Sequence, residues 1–344
     1  MNVRRLIPTA AVAGAAALSL ATLSACSSTS GAASGGDKSE GKLDVVASFY
    51  PMQYLAEQIG GDHVSVTTLT EPGVEPHDLE LKPRQTSELR QADYILYLKG
   101  IQPAVDEAIA QAGVKDTVDA ATLTKLENHG SEVGHDHDHG HEGEEHAAEE
   151  HAAEEHGHEN EAEEHGHENE AGADPHVWLD PVKYTEVAKG VGASLEKADP
   201  DNAAAYKKNT EALVTKLNAL NTAFADGLKD TTTRTFITTH SAFGYLAERY
   251  GLEQEGIAGI DPESEPSPAR IKELREIARK DKVTTVFFET LASDKTAKTL
   301  AADANLKTDV LDPLEGITDK SKGDDYIEVM ESNLAALEKA LGAK

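Results

Sequence analysis

The chain has 344 residues, 39% of them apolar, and a formal charge of −30 from 62 acids against 32 bases. At roughly 150 residues per domain, that length predicts two domains, each long enough to bury its own core. The charge argues against nucleic acid and anionic membrane surfaces as partners and favours cations. A single cysteine rules out an internal disulfide, a Cys-rich zinc module and a CxxC redox pair.

Residues 1–25 have the form of an export signal. Arg4 and Arg5 are followed by an uncharged Ala/Leu/Ser-rich run that ends in Leu23-Ser24-Ala25-Cys26. The small residues before Cys26 resemble the lipobox of bacterial lipoproteins. That resemblance implies cleavage before Cys26 and a lipid on its sulfur, so the mature chain would be extracytoplasmic and anchored to the cell membrane. The alternative is an uncleaved membrane helix over residues 6–26. Residues 26–42 are a Gly/Ser-rich tether between the lipidated cysteine and the folded body.

From Leu43 the pattern becomes that of an α/β fold. The apolar run 43–50 predicts a strand, and Pro51 opens a helix that Gly60 and Gly61 stop. Residues 64–69 predict a strand, 87–92 a helix, 93–99 a strand and 103–113 a helix. Alternating strands and helices imply a parallel sheet covered on both faces.

Residues 128–173 interrupt this pattern. They carry 11 of the 15 histidines: His129, His135, His137, His139, His141, His146, His151, His156, His158, His165 and His167. No Lys or Arg occurs between Lys125 and Lys183, and HAAEE and HGHENEA each appear twice. With almost no apolar residue larger than Ala, the segment cannot offset its ordering entropy, and it reads as a disordered His/Glu-rich surface loop. Its imidazoles and carboxylates suit Zn, Cu or Ni at weak, poorly selective sites.

A pattern without Gly or Pro follows over 201–225, with Tyr206, Leu213, Leu217, Leu220 and Phe224 on one face. It predicts a helix long enough to run along two lobes. The α/β alternation then returns, with strands at 234–239, 283–289 and 308–311 and helices at 241–251, 266–281, 293–305 and 324–341. The division that results is a lobe at 43–199 containing the loop 128–173, a linking helix at 200–228 and a second lobe at 229–344.

Ligands of open α/β sheets bind outside the carboxyl ends of the strands. Four metal-competent residues fall there: His77 in EPHDLE, His176 in DPHVWLDP, His240 at the end of FITTH and Asp312 after VLD. Two come from each half, so a shared site must lie between the lobes. Three imidazoles and one carboxylate make a tetrahedral set suited to Zn²⁺ at about 2.0–2.2 Å, whereas Mg²⁺ and Ca²⁺ call for more oxygens. Taken singly, a histidine at a strand end is more often a satisfied polar residue, and Asp312 before Pro313 also suits a turn or a cap.

The stretches SFYPMQYLAEQIGGDHVSVTTLTEPGVEPHDLELKP, DPHVWLDP, THSAFGYLAERYGL, GIDPESEPSPARI, VFFETLASDKTAKTLA and LDPLEG resemble the zinc-binding, ZnuA-like lipoproteins that act as receptors for metal ABC transporters. The resemblance covers nearly all of residues 43–341. It implies two βα lobes with parallel sheets joined by a long rigid helix, and a metal in the interlobe cleft held by His77, His176 and His240. It also implies a carboxylate at Asp312 as the fourth ligand, a place that Glu75 or a water could fill instead. Manganese-binding members typically carry Glu where His240 stands, so His240 favours zinc. The implied function is capture of Zn²⁺, as cargo rather than catalyst, and its delivery to a membrane ABC permease by a monomer that is not an enzyme.

Two other readings compete. One is a surface zinc buffer or adhesin acting mainly through the His-rich loop. The other is an exported zinc hydrolase built on the same three histidines, although the sequence contains no HExxH helix.

Overall fold

The computed structural model describes residues 41–129 and 173–344. The export signal, Cys26 with nearly all of its tether, and the His-rich segment from residue 130 to 172 lie outside the described residues. The described chain forms one compact unit.

The first half alternates strand and helix: β1 (Leu43–Ala47), α1 (Tyr50–Gly60), β2 (Val64–Thr68), α2 (Pro83–Gln91), β3 (Tyr94–Tyr97), α3 (Pro103–Ala112) and β4 (Asp116–Asp119). All pairings are parallel, in the order β2-β1-β3-β4. Two helices follow, α4 (Pro181–Ala198) and α5 (Ala203–Gly227). The second half repeats the first. It runs β5 (Thr235–Thr238), α6 (Gly244–Tyr250), β6 (Glu253–Gly256), α7 (Pro268–Lys280), β7 (Thr285–Phe288), α8 (Lys295–Ala304) and β8 (Lys307–Val310), and α9 (Tyr326–Leu341) closes the chain. Its sheet is again parallel, in the order β6-β5-β7-β8. The α/β class and the two parallel sheets are as the sequence predicts.

Local chemistry sets the helix starts. Proline occupies the first turn of α1, α2, α3, α4 and α7, where its missing N–H costs nothing. Asp180 caps α4 by accepting from the Val182 N–H at 2.8 Å, and Ser267 and Asp325 cap α7 and α9 in the same way. Gly251 ends α6 in the left-handed region, with φ of 64°.

Several boundaries differ from expectation. Helix α2 begins four residues earlier, at Pro83, and α6 three residues later, at Gly244, because the intervening backbone turns away from β5 and donates from Ser241 N–H to Gly259 O. Strands β4 (DTVD) and β6 (EQEG) and helix α4 have no counterpart in the sequence reading. Both strands lie at sheet edges, where polar residues are tolerated and apolar periodicity is lost.

Helix α5 is 25 residues long, about 37 Å at 1.5 Å per residue. Its buried face is Tyr206, Thr210, Leu213, Leu217, Leu220 and Phe224, which includes all five residues picked out by periodicity. It packs against α1 and α4 from the first half and α9 from the second. One apolar core therefore joins β1, α5, β5 and α9, containing Val45, Leu217, Phe236 and Leu337 among others. Each sheet has only a smaller cluster of its own on its outer face. This differs from the expectation of two separate cores. Trp178 adds a polar tie, since its indole N–H donates to Pro313 O at 2.7 Å while its own carbonyl accepts from the Tyr326 hydroxyl at 2.5 Å.

Leu217 is wholly buried at the centre of this joint. Leu217→Ala is expected to lower unfolding free energy by about 2–5 kcal/mol. Urea denaturation followed by circular dichroism checks this, and an unchanged midpoint would show that α5 does not couple the halves.

Candidate metal centre

Each sheet has the same strand order, so each has a point where successive connections leave in opposite directions, between β1 and β3 and between β5 and β7. Such switch points open a crevice beyond the strand C-termini. His240 follows β5 and Glu289 follows β7, so the second crevice is flanked by both. His77 lies on the segment between β2 and α2, and His176 lies just ahead of the short turn that leads into α4.

These side chains meet at one point. The Nε2 atoms of His77, His176 and His240 lie 3.3, 3.2 and 3.2 Å from Oε1 of Glu315. The ring centroids are 5.4–6.1 Å apart, and one ligand atom from each of the four residues lies within 4.8 Å of the other three. His176, His240 and Glu315 are buried, and only the His77 side chain keeps some exposure, at 10%.

The other nitrogen of each buried ring is held by a carboxylate. His176 Nδ1 is 2.7 Å from Asp174 Oδ1, which also accepts the His176 backbone N–H. His240 Nδ1 is 2.9 Å from Glu289 Oε1, which in turn accepts the Thr239 hydroxyl. An imidazole that donates through Nδ1 presents a bare lone pair at Nε2. Two such lone pairs then face the same carboxylate oxygen, an arrangement that is repulsive unless protons or a cation lie between them. Glu315 Oε2 and Glu289 Oε2 are buried with no hydrogen-bond partner among the described residues, which marks the centre as short of positive charge. Three imidazoles and a carboxylate at this spacing fit a zinc-sized ion.

Titration behaviour has the same cause. Burial opposes charge on His240, but Glu289 and Glu315 outweigh it and lift its proton affinity well above the ordinary imidazole range. His176 is also raised, with burial again opposing and Asp174 and Glu315 prevailing. Glu315 moves the other way: burial disfavours its charge, but the His240 charge and hydrogen bonds from all three imidazoles hold it well below its usual value. Glu75 is pushed up to about 9 by burial and by the Glu315 charge beside it.

His77, His176 and His240 are brought together, and Asp312 is not. The carboxylate that meets the imidazoles is Glu315, three residues further on, which the sequence reading did not single out. Asp312 Oδ1 accepts from Leu314 N–H at 2.9 Å, and its Oδ2 accepts from Ser321 Oγ at 3.0 Å and Thr290 Oγ1 at 3.2 Å. Its backbone is clamped by Asn333 on both sides. With both oxygens bonded, Asp312 shapes the turn in which buried Leu314 adopts φ of 57° and delivers Glu315 to the site. Glu75, the alternative fourth ligand, accepts the His77 backbone N–H at 3.0 Å and so fixes the histidine's own loop. Glu315, Asp174 and Glu289 all lie inside stretches read as significant (LDPLEG, DPHVWLDP and VTTVFFE), but no spacing rule separates them from neighbouring acids.

Residues 45–340 match the sequence model of the family described as zinc-uptake complex component A, periplasmic. The chain belongs to this family. It is 37% identical over 326 residues to the zinc-binding lipoprotein AdcA of Streptococcus pneumoniae serotype 4, covering 93% of this chain and 60% of that protein. It is 38% identical over 324 residues to the high-affinity zinc uptake system protein ZnuA of Bacillus subtilis, covering 92% of each. Among solved structures, the Zn(II)-bound ZnuA-like domain of Streptococcus pneumoniae AdcA superposes with a TM-score of 0.65 at 33% identity, over 88% of this chain and 99% of that one. The chain thus spans about three-fifths of AdcA and nearly the whole of ZnuA.

If Glu289 holds His240 in its ligating tautomer, Glu289→Gln should weaken divalent-metal affinity about 10–100-fold with the fold intact. Competition against a chromophoric chelator measures it, and wild-type affinity would remove Glu289 from that role. Protons compete for the same nitrogens, so affinity should rise with pH through the raised imidazole values. It should fall as pH drops through them, and the fall should begin above the ordinary imidazole value of about 6.5. Calorimetry between about pH 6 and 8 tests this, and a flat profile would contradict displacement of imidazole protons.

Proposed function

We propose that the protein captures Zn²⁺ outside the cytoplasm, holds it through His77, His176, His240 and Glu315, and delivers it to the permease of a metal ABC transporter. The observation that carries this reading is the meeting of three Nε2 atoms on one buried carboxylate oxygen. Membership of a zinc-uptake family supports both the cargo and the permease partner. The division into lobes 43–199 and 229–344 around the helix 200–228 belongs to the same proposal, as does action as a monomer. So does anchorage through a lipid on Cys26. Among the described residues no helix is long and apolar enough to cross a membrane.

Capture rather than catalysis is the chemistry this donor set favours. A catalytic zinc keeps three protein ligands and an open position for water. In this reading Glu315 takes the fourth direction, which is supported by its position within reach of the three imidazoles and by the burial of His176, His240 and Glu315. The protein is therefore proposed not to be an enzyme. Zinc leaves such a site when the ligands are pulled apart or protonated, and in an importer the energy for the cycle comes from the ATPase.

His240→Ala should weaken the tight zinc site by several kcal/mol, whereas His151→Ala should leave it unchanged. Removal of residues 131–171 separates this reading from that of a buffer or adhesin. The described residues that flank the segment run side by side, Asp174 N–H donating to Glu127 O at 2.9 Å. One tight site should survive in zinc calorimetry, and loss of all binding would transfer the function to the His-rich segment.

A further inference from the structure

Three more ligand atoms gather on the other side of Asp174. Glu127, His129 and Glu248 each offer one within 4.8 Å of the other two. Glu127 and His129 lie where the described chain stops before the His-rich segment, and Glu248 lies on α6. We propose that Glu127, His129 and Glu248 form a second divalent-cation site, distinct from the first centre and suited to Zn²⁺ with water completing the shell.

The position of His129 is built rather than incidental. Its ring stands edge-on to Tyr245 at 4.4 Å between centroids. It packs down onto α6 at Gly244, where a Cβ would come within 2.3 Å of the His129 Cβ, so no larger residue fits there without shifting it. The Tyr245 hydroxyl fastens both flanking strands of chain, accepting from Glu127 N–H at 2.8 Å and donating to Asp174 O at 2.7 Å.

The donor set has the chemistry of a cation site. Nδ1 of His129 faces Asp174 Oδ2 at 3.3 Å, in ion-pair range. That oxygen is fully buried and has no hydrogen-bond partner among the described residues. Asp174 thus stands between two imidazoles, with Oδ1 toward His176 and Oδ2 toward His129. A carboxylate at Nδ1 directs Nε2 to serve as the ligand, as it does at His176. Nε2 of His129 lies 2.9 Å from Glu248 Oε2. Two carboxylates and an imidazole nitrogen in one cluster suit a borderline divalent ion, and Glu248, exposed to solvent, leaves room for water. One imidazole in place of three, and greater exposure, make this site weaker than the first.

The competing cations are Lys125 and Lys183, whose Nζ atoms lie 3.4 and 3.8 Å from Glu127 Oε1. Lys183 is already committed to Lys125 O at 2.7 Å, and neighbouring Arg249 is committed to Asp180. Among the described residues, Glu248 Oε2 is ion-paired with His129.

The test is full-length protein crystallised with excess Zn²⁺ and measured at the zinc absorption edge. The expected result is one anomalous peak among His77, His176 and His240 and another bonded to His129 Nε2 and the Glu127 and Glu248 carboxylates. Glu248→Gln should abolish the second peak and spare the first. A zinc-saturated first centre with no peak at His129, or a second peak that survives Glu248→Gln, overturns the proposal. A second peak without the first would leave this site standing and refute the proposed capture centre, so the two failures are distinguishable. In solution, imidazole ¹⁵N spectra of the full chain report the same event. The His129 signal, assigned by its loss in His129→Gln, should move to the metal-bound range after the first equivalent of zinc. No movement at any zinc concentration overturns the proposal independently of crystals.

Discussion

The structure turns on the meeting of electron-rich atoms at Glu315. Three imidazole nitrogens approach one carboxylate oxygen at 3.2–3.3 Å in a place largely closed to water. In bulk solvent such a gathering would be dispersed by hydration. In a low-dielectric interior it persists only if positive charge is shared among the four groups. Protons supply that charge in one state, which is why His176 and His240 are raised and Glu315 lowered. A divalent ion supplies it in the other. Affinity for metal and affinity for protons are therefore two expressions of one electrostatic deficit.

The deficit is maintained from behind. Asp174 and Glu289 hold the buried rings by their outer nitrogens, and Asp312, Ser321, Thr290 and Asn333 hold the turn that presents Glu315. The Asn333 side chain belongs to α9, and α9 packs on α5. The chain of dependence thus runs from the apolar face of α5 through α9 to the ligand loop. Packing free energy is converted into ligand geometry along this route, so that little ordering entropy remains to be lost when the ion binds.

Much of this was legible from residue patterns, and the illegible parts share a physical cause. The interior strands β1, β3, β5 and β7 announce themselves because burial on both faces demands apolar runs. The edge strands β4 and β6, DTVD and EQEG, carry no such demand and look like loops. The three histidines stand out as rare residues at strand ends. The carboxylate that meets them does not, because the region beyond β8 offers Asp312 and Glu315 within one turn and the choice depends on which carboxylate the local hydrogen bonds have already used. Asp312 is consumed by Leu314 N–H, Ser321 and Thr290, which leaves Glu315 to point inward. That competition is tertiary, since Thr290 lies 22 residues away in the chain, and no local spacing encodes it. The same holds for His129, which in sequence is one of eleven similar histidines and in space packs on Gly244 and Tyr245.

The duplication of the strand order bears on how the centre is reached. Two like sheets set with their C-terminal ends toward a common site form a cleft, and in many two-lobed binders such a cleft opens by a hinge. Here the lobes share one apolar core through α5, and Trp178 is bonded to Pro313 and Tyr326 beneath the ligands. Leu217, Phe224 and Trp178 are buried in that joint, and an opening that exposed them would lose their apolar burial. At roughly 1.5–3 kcal/mol for each large apolar side chain, this is a heavy cost against the few kcal/mol that a single ligand contact can return. The four side chains that meet there differ in how firmly they are held. His176, His240 and Glu315 are fixed by secondary structure or by a braced turn and are buried, whereas His77 retains 10% exposure and sits on a segment between β2 and α2 that is neither strand nor helix. The centre therefore meets solvent on the His77 side.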